Sequence, residues 1–320
     1  MRTTHTSDYA PVTPGQRFRI RILAALIAVL SVAILFSLLQ NTGQLRCIAT
    51  PKDTLPIPVP KEFAAADGVL TLVMVDVGQG DSLLLIAPSG RTMLIDAGEP
   101  DAADTVMAVL RAYGIHKLDA VVATHPHADH IGGLATVLEQ VPAGAVYLTD
   151  EVSTTPVYRN LLNVLKKKAY PVISADHRTE VDWDADVAIT VLNPLPGQIY
   201  DGANNGSIVL KVTYGTVSML LTGDAEQNTE LLLTAVFGES LQADVIKLGH
   251  HGSSTSSCDA FLDAVQPKIA LISAGRNNAY GHPHTSVLNR LKERGISVLR
   301  TDRDGCAAVF TDGTRVIAVP

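Results

Sequence analysis

The 320-residue sequence predicts an α/β (α+β) sandwich, two mixed sheets packed together with helices outside, preceded by a single N-terminal transmembrane helix. Three patterns support this. From residue 69 onward, apolar runs of strand length alternate with amphipathic stretches of helical length. Hairpin signals stand toward both ends of that region, with helical stretches interspersed. Ahead of it lies one apolar run long enough to cross a bilayer.

Residues 1–21 form a basic segment, with Arg2, Arg17, Arg19 and Arg21 against Asp8. Residues 22–40 read as a transmembrane signal anchor, since Ile22–Leu39 contains only Ser31 and Ser37 as polar residues and can span a hydrocarbon core of ~30 Å. The preceding arginines place the N-terminus in the cytoplasm and everything after the anchor outside, a single-pass cell-membrane arrangement. The competing arrangement is secretion after signal cleavage. Against it, a signal peptide has an apolar core of about 7–15 residues and a small-residue cleavage site, whereas Gln40-Asn41 follows this longer run. Residues 41–61, with Pro51, Pro56, Pro58 and Pro60, read as a linker, and 62–320 as one folded domain.

Within that domain, 69–75, 82–87 and 92–95 read as buried strands and 101–113 as a helix. Strand 119–123 leads into helix 129–140. Segments 206–214 and 217–222 flank Gly215-Thr216 as a hairpin, and helix 225–236 precedes strand 243–248. Strands at 268–273, 296–300, 306–311 and 314–319 follow.

An apolar content of 47% permits a sizeable core, which excludes a disordered chain. The three cysteines, Cys47, Cys258 and Cys306, are far apart and exclude a disulfide scaffold or a Cys-rich zinc module. Net charge is −7, and because residues 1–21 contribute +3 the remainder carries −10. Such a domain does not hold nucleic acid through bulk phosphate neutralisation. Lys166-Lys167-Lys168 reads as a solvated helix end. A substrate of few charges, or one whose phosphate is held by metal, fits the balance better.

The chemistry concentrates in Thr124-His125-Pro126-His127-Ala128-Asp129-His130-Ile131-Gly132-Gly133, where a strand stops and a helix starts. Three imidazoles and a carboxylate in one short loop suit Zn²⁺, Mn²⁺ or Fe. His125 and His127 can serve one ion while Asp129 and His130 serve a second. No G-x-S-x-G elbow and no phosphate-binding G-x-x-x-x-G-K-[ST] loop is present.

H-x-H-x-D-H after an apolar strand resembles the signature of the metallo-β-lactamase fold, which implies an αββα sandwich and two divalent ions, Zn or Mn. Leu94-Ile95-Asp96-Ala97-Gly98 is similar to that family's first motif, with Asp96 orienting the ligand loop. In Leu221-Thr222-Gly223-Asp224-Ala225-Glu226, the resemblance makes Asp224 a bridging ligand; Asp224 with Gln227 also reads as a capping box for helix 225–236. Lys247-Leu248-Gly249-His250-His251-Gly252-Ser253 resembles the last motif, in which His250 or His251 ligates and the other can contact substrate or donate a proton. Asp76-Val77-Gly78-Gln79-Gly80-Asp81-Ser82 and Tyr280-Gly281-His282-Pro283-His284 are similar to the ComEC-type branch, whose hydrolase domain is fused to bacterial DNA-uptake channels. On that resemblance Asp76, Gln79, Asp129, His251 and His284 are catalytic candidates, and Asp96, Asn205, Ser207 and His282 surround the metals.

Many members place a third His before the bridging Asp, where this chain has Ala203-Asn204-Asn205-Gly206-Ser207. Oxygen-rich coordination there favours Mn²⁺ relative to a three-His zinc site. The resemblance implies metal-assisted hydrolysis of DNA or another phosphodiester, at the cytoplasmic membrane through residues 22–40 and beside a separate channel protein. The same fold hosts phosphocholine-ester, lactone, thioester and β-lactam hydrolases, and a non-catalytic partner of an uptake assembly is the alternative of another class.

Overall fold

A computed structural model describes residues 56–66 and 68–320. The basic segment and the transmembrane anchor expected over 1–40 lie outside the described residues, as does most of the linker. No helix among the described residues is long and apolar enough to cross a membrane.

The first sheet has eight strands. Its centre is β1 (Leu70–Met74), β2 (Leu83–Ile86), β3 (Thr92–Ile95) and β4 (Leu118–Val122), extended on one side by β5 (Ala143–Leu148) and β6 (Val172–Ser174). On the other side β1 pairs antiparallel with β13 (Ala307–Thr311), which pairs with β14 (Val316–Val319). The second sheet has six strands in the order β12 (Ser297–Arg300), β11 (Ile269–Ile272), β10 (Val245–Lys247), β9 (Val217–Leu221), β8 (Val209–Tyr214) and β7 (Val187–Asn193).

Side-chain alternation explains why the sheets stack. Leu72 and Met74 of β1, Leu85 of β2 and Met93 of β3 meet Met219 and Leu221 of β9 and Val245 of β10 in a core between the sheets. The intervening Val73, Leu84 and Leu94 face the other way, against α1 (Ala103–Ala112), α3 (Leu134–Gln140) and α4 (Pro156–Lys168). On the far side Leu220 and Ile246 pack with α5 (Gln227–Phe237), α6 (Asp259–Val265) and α7 (Thr285–Glu293). The central strands are therefore buried on both faces, and their sequences read as continuous apolar runs.

Several expectations change. The helix expected over 129–140 is two helices, α2 (Ala128–Ile131) and α3, with Gly132-Gly133 between them. A Cβ on Gly133 would lie 2.4 Å from the Ala97 carbonyl oxygen, and one on Gly132 would lie 2.5 Å from Pro100, so the loop after β3 crosses where only glycine fits. The capping box expected at Asp224 is not formed: Glu226 is the N-cap residue of α5 and no side chain caps it. Part of the expected linker joins the domain, since Ile57 is buried and its N–H donates to the Tyr113 hydroxyl at 3.1 Å. The structure adds β5, β6, β7, α6, α7 and the short α8 (Thr301–Asp304) to the expected elements. The three lysines do end a helix, α4, where they are exposed and Lys168 Nζ donates to the Glu139 carbonyl at 2.8 Å.

Glu230 of α5 is fully buried and accepts N–H bonds from Ser257 and Cys258, tying α5 to the turn before α6. Burial pushes its carboxyl up from 4.5 to about 7, against the pull of those hydrogen bonds. A carboxyl raised on folding stabilises below its unfolded value and loses that contribution as pH rises through the folded one. Thermal denaturation between pH 5 and pH 8 should therefore show a fall in stability of roughly 3 kcal/mol from this group. Glu230→Gln should flatten that slope; an equal slope in both proteins would place the titration elsewhere.

Candidate metal centre

The loops that follow β3, β4, β9, β10 and β11 leave the carboxyl ends of the two sheets on one rim, and the polar side chains gather there. Asp96, fully buried just after β3, anchors the arrangement. Its Oδ1 accepts the Thr124 N–H at 2.8 Å, and its Oδ2 accepts the Thr124 hydroxyl at 2.6 Å and lies 2.7 Å from His130 Nδ1. Asp96 has φ 58°, a left-handed conformation that a non-glycine residue holds only when its surroundings compensate. With Nδ1 engaged, His130 presents Nε2, which lies 3.2 Å from Asp224 Oδ2.

Asp224 is buried, and three imidazoles surround its Oδ2: His130 at 3.2 Å, His251 at 3.5 Å and His125 at 3.9 Å. Ser207 Oγ accepts the Asp224 N–H at 3.1 Å and fixes its backbone. His125 Nε2 and His127 Nδ1 stand 3.0 Å apart on one side. On the other, His251 Nε2 is 3.2 Å from Asp129 Oδ2, while its Nδ1 lies 3.0 Å from the Ser273 carbonyl and 3.2 Å from Asp81 Oδ1. Both His250 and His251 have positive φ, 48° and 55°, so the turn that delivers His251 is itself strained. Gly249 enters it so close to the Ala225 carbonyl that a Cβ would lie 2.4 Å away.

The electrostatics favour positive charge. Burial pushes the Asp224 carboxyl up, yet His130 and His251 outweigh it and hold the group well below the usual carboxylate range. Burial likewise lowers His251, but Asp224, Asp129 and Asp81 raise it to about 9. His125 is held well below its ordinary value, first by burial and then by His130, and so is a neutral imidazole with a lone pair to give. Ligand atoms of Asp81, His130, Asp224 and His251 all lie within 4.8 Å of one another. His130 Nε2 and Asp224 Oδ1 are buried without a hydrogen-bond partner, a cost of about 1–3 kcal/mol each that a bound cation removes. Nitrogen and oxygen donors, orphaned polar atoms and a demand for positive charge together fit divalent metal.

The structure thus brings Asp129, His130, Asp224 and His251 together, with His125 and His127 beside them and Asp96 and Ser207 behind. His250 stands apart: its Nδ1 is 3.0 Å from Glu226 Oε1 and 3.1 Å from Thr255 Oγ1. Asn205 also points elsewhere, accepting the Glu226 N–H at 3.3 Å and the Thr229 hydroxyl at 3.0 Å at the start of α5. Asp76 bonds to Gly78 N–H at 3.2 Å, outside the cluster, with Cys306 Sγ accepting its own N–H. Gln79 Oε1 accepts the Gly275 N–H at 3.1 Å and joins two loops. His284 Nδ1 accepts the Ser254 N–H at 2.8 Å, and buried His282 has an unpartnered Nδ1.

Two site residues go beyond the sequence candidates. Lys247, fully buried at the end of β10, places Nζ 2.6 Å from Asp81 Oδ2, so that Lys247, Asp81 and His251 form one chain of contacts. The signal was present: a lysine closing an apolar strand must bring a partner inside, and Asp81 is the second acid of the Asp76–Ser82 stretch. Gly80 beside it has φ 126°, and a Cβ there would lie 2.1 Å from the Asp129 carbonyl oxygen.

Lys247→Met should cost on the order of 3–5 kcal/mol in chemical denaturation by leaving Asp81 unpaired in the interior. Adding Asp81→Leu should recover most of that; no recovery would mean the pair is not the source. Gly80→Ala should drive the Asp129 loop outward and lower the metal content measured by plasma emission spectrometry. Undiminished content would show that the loop yields without disturbing the ligands.

The Metallo-beta-lactamase superfamily profile matches residues 75–276. The chain is 36% identical over 251 residues to ComE operon protein 3 of Bacillus subtilis, covering 72% of this chain and 32% of that protein. It is 36% identical over 252 residues to Competence protein ComA of Neisseria gonorrhoeae, covering 78% of this chain and 33% of that protein. The chain thus spans about a third of the length of these relatives. A shorter match, 30% over 99 residues, covers 29% of this chain and 36% of the hydroxyacylglutathione hydrolase of Xylella fastidiosa. With its H-x-H-x-D-H loop and the carboxylate facing it set at the ends of a two-sheet sandwich, the chain belongs to the metallo-beta-lactamase superfamily and to its ComEC-type branch.

Proposed function

We propose that the chain is a dinuclear metal-dependent phosphodiesterase acting on DNA or another phosphodiester outside the cytoplasmic membrane. The observation that carries this is Asp224, one of whose carboxylate oxygens lies 3.2 Å from His130, 3.5 Å from His251 and 3.9 Å from His125. His125, His127 and Asp224 would hold one ion; Asp129, His130, His251 and the shared Asp224 would hold the second. Zn²⁺ or Mn²⁺ held by these residues would supply Lewis acidity, lowering the pKa of water and polarising phosphoryl oxygens. Asp96 keeps His130 Nδ1 occupied so that Nε2 stays directed inward. Glu226 and Thr255 hold His250 Nδ1, which frees its Nε2 for a substrate oxygen. Asn205 stands where the resemblance places a third His, but its amide oxygen is committed to the start of α5, so it is not among the residues that would hold the first ion.

DNA as substrate is supported by the likeness to two competence proteins. A separate membrane channel protein would supply the path for the DNA. Residues 22–40 would anchor the domain at the cell membrane, or be cleaved to release it. The match to a hydroxyacylglutathione hydrolase keeps ester and thioester hydrolysis as the second reading.

Turnover by the full chain with Mn²⁺ or Zn²⁺ on single- and double-stranded DNA and on a chromogenic phosphodiester tests the proposal. Asp129→Ala should abolish activity beyond the roughly 10–100-fold that loss of an outer-shell group costs. Two bound ions with turnover only on thioesters would favour the second reading. Less than one ion per chain and no turnover would make the domain a binding partner.

A further inference from the structure

Tyr280 is 67% exposed, in a loop whose Arg276, Asn277, Ala279 and Gly281 are exposed as well. It is held there. Asn278 Oδ1 accepts the N–H of Tyr280 at 3.1 Å and of His282 at 3.0 Å, while Asn278 Nδ2 donates to the carbonyls of Gly275 at 2.9 Å and His282 at 2.6 Å. His284 N–H donates to the Gly252 carbonyl at 2.9 Å, which ties this loop to the turn that delivers His251. One face of Tyr280 stacks on His282, ring centroids 5.6 Å apart and planes 23° apart. His282 in turn lies 6.2 Å from His251 at 31°. A ring that is two-thirds exposed with one face covered offers its other face to solvent, two ring contacts from a candidate metal ligand.

We propose that Tyr280 is a stacking platform for an unpaired nucleobase next to the scissile phosphodiester, which makes single-stranded nucleic acid the preferred substrate. This rests on the phosphodiesterase reading and gives it a substrate class. An acidic domain gains little from bulk phosphate contacts, so affinity for a polyanion must come from the metal centre and from uncharged contacts. Stacking on an aromatic face is such a contact, and it accepts any base that is not already paired. Tyr280 is a specificity residue here, since it touches the base and not the reacting atoms.

The test compares a labelled ten-residue oligothymidylate with an abasic oligomer of equal length and charge, in the wild-type full chain and in Tyr280→Phe and Tyr280→Ala. Anisotropy on the Mn²⁺-loaded chain with cleavage-resistant phosphorothioate strands reads binding, and cleavage of the phosphodiester strands with Mn²⁺ reads turnover. Oligothymidylate should bind about tenfold more tightly than the abasic strand. Tyr280→Ala should remove that preference by weakening oligothymidylate alone, equally at low and high salt, and should raise KM without changing kcat; Tyr280→Phe should retain it. Cleavage with no effect of Tyr280→Ala, or an equal effect on both strands, would overturn the platform and leave the phosphodiesterase standing. Base-selective binding that depends on Tyr280 without cleavage would keep the platform and overturn the phosphodiesterase, and failure of both measurements would remove both.

Discussion

The charge of one buried carboxylate organises the rim of this domain. Asp224 cannot be left in the interior without compensation, and the fold answers by turning His125, His130 and His251 toward the same oxygen. Each of these side chains is then fixed from behind: His125 by Thr124 Oγ1 at 3.1 Å, His130 by Asp96, and His251 by Ser273 and by an Asp81 that itself requires Lys247. The polar layer is therefore continuous from Asp96 to Lys247, and it joins the strand ends of both sheets. Positive φ at Asp96 and His251 is the conformational cost of delivering polar side chains from two loops to one place.

Much of this was legible in the sequence for a simple reason. Strands buried on both faces, such as β2 with its run Leu83–Ile86, read as apolar runs, and polar site residues stand at or just past strand ends, as Lys247 does in β10 and Asp96 after β3. The H-x-H-x-D-H loop announces itself because four candidate ligands fall in six positions; the bland alternative, a polar loop in which Asp129 caps the helix, is not what forms, since His127 is the N-cap residue and no side chain caps it. Edge elements were harder. β6 has three residues with an exposed, half-buried, exposed pattern, too short for any periodicity to show. Gly132-Gly133 could not be read as a break between helices, because the reason for it is the backbone of residues 97–100, distant in sequence.

The site residues divide in the same way. Asp129, His130, Asp224 and His251 come together because their loops leave neighbouring strands. Within the adjacent histidines only three-dimensional structure separates His251, directed inward, from His250, directed at Glu226. Asn205 illustrates the converse: its position invited a role near the metals, but hydrogen-bonding capacity was better satisfied at the start of α5. Asp81 and Lys247 went unselected because each is ordinary alone and acquires meaning only as a buried pair.

The pairing of β1 with β13 bears on the order in which the domain assembles. Leu70 lies opposite Thr311, so a central strand of the larger sheet waits for a partner made some two hundred and forty residues later. The loop that holds Gly80 and Asp81 leaves the end of β1 and depends on that strand being seated. Closing so long a chain segment is slow, because its entropy is lost before the contact is gained. A nascent chain should therefore not complete the rim around Asp81 until β13 has been made.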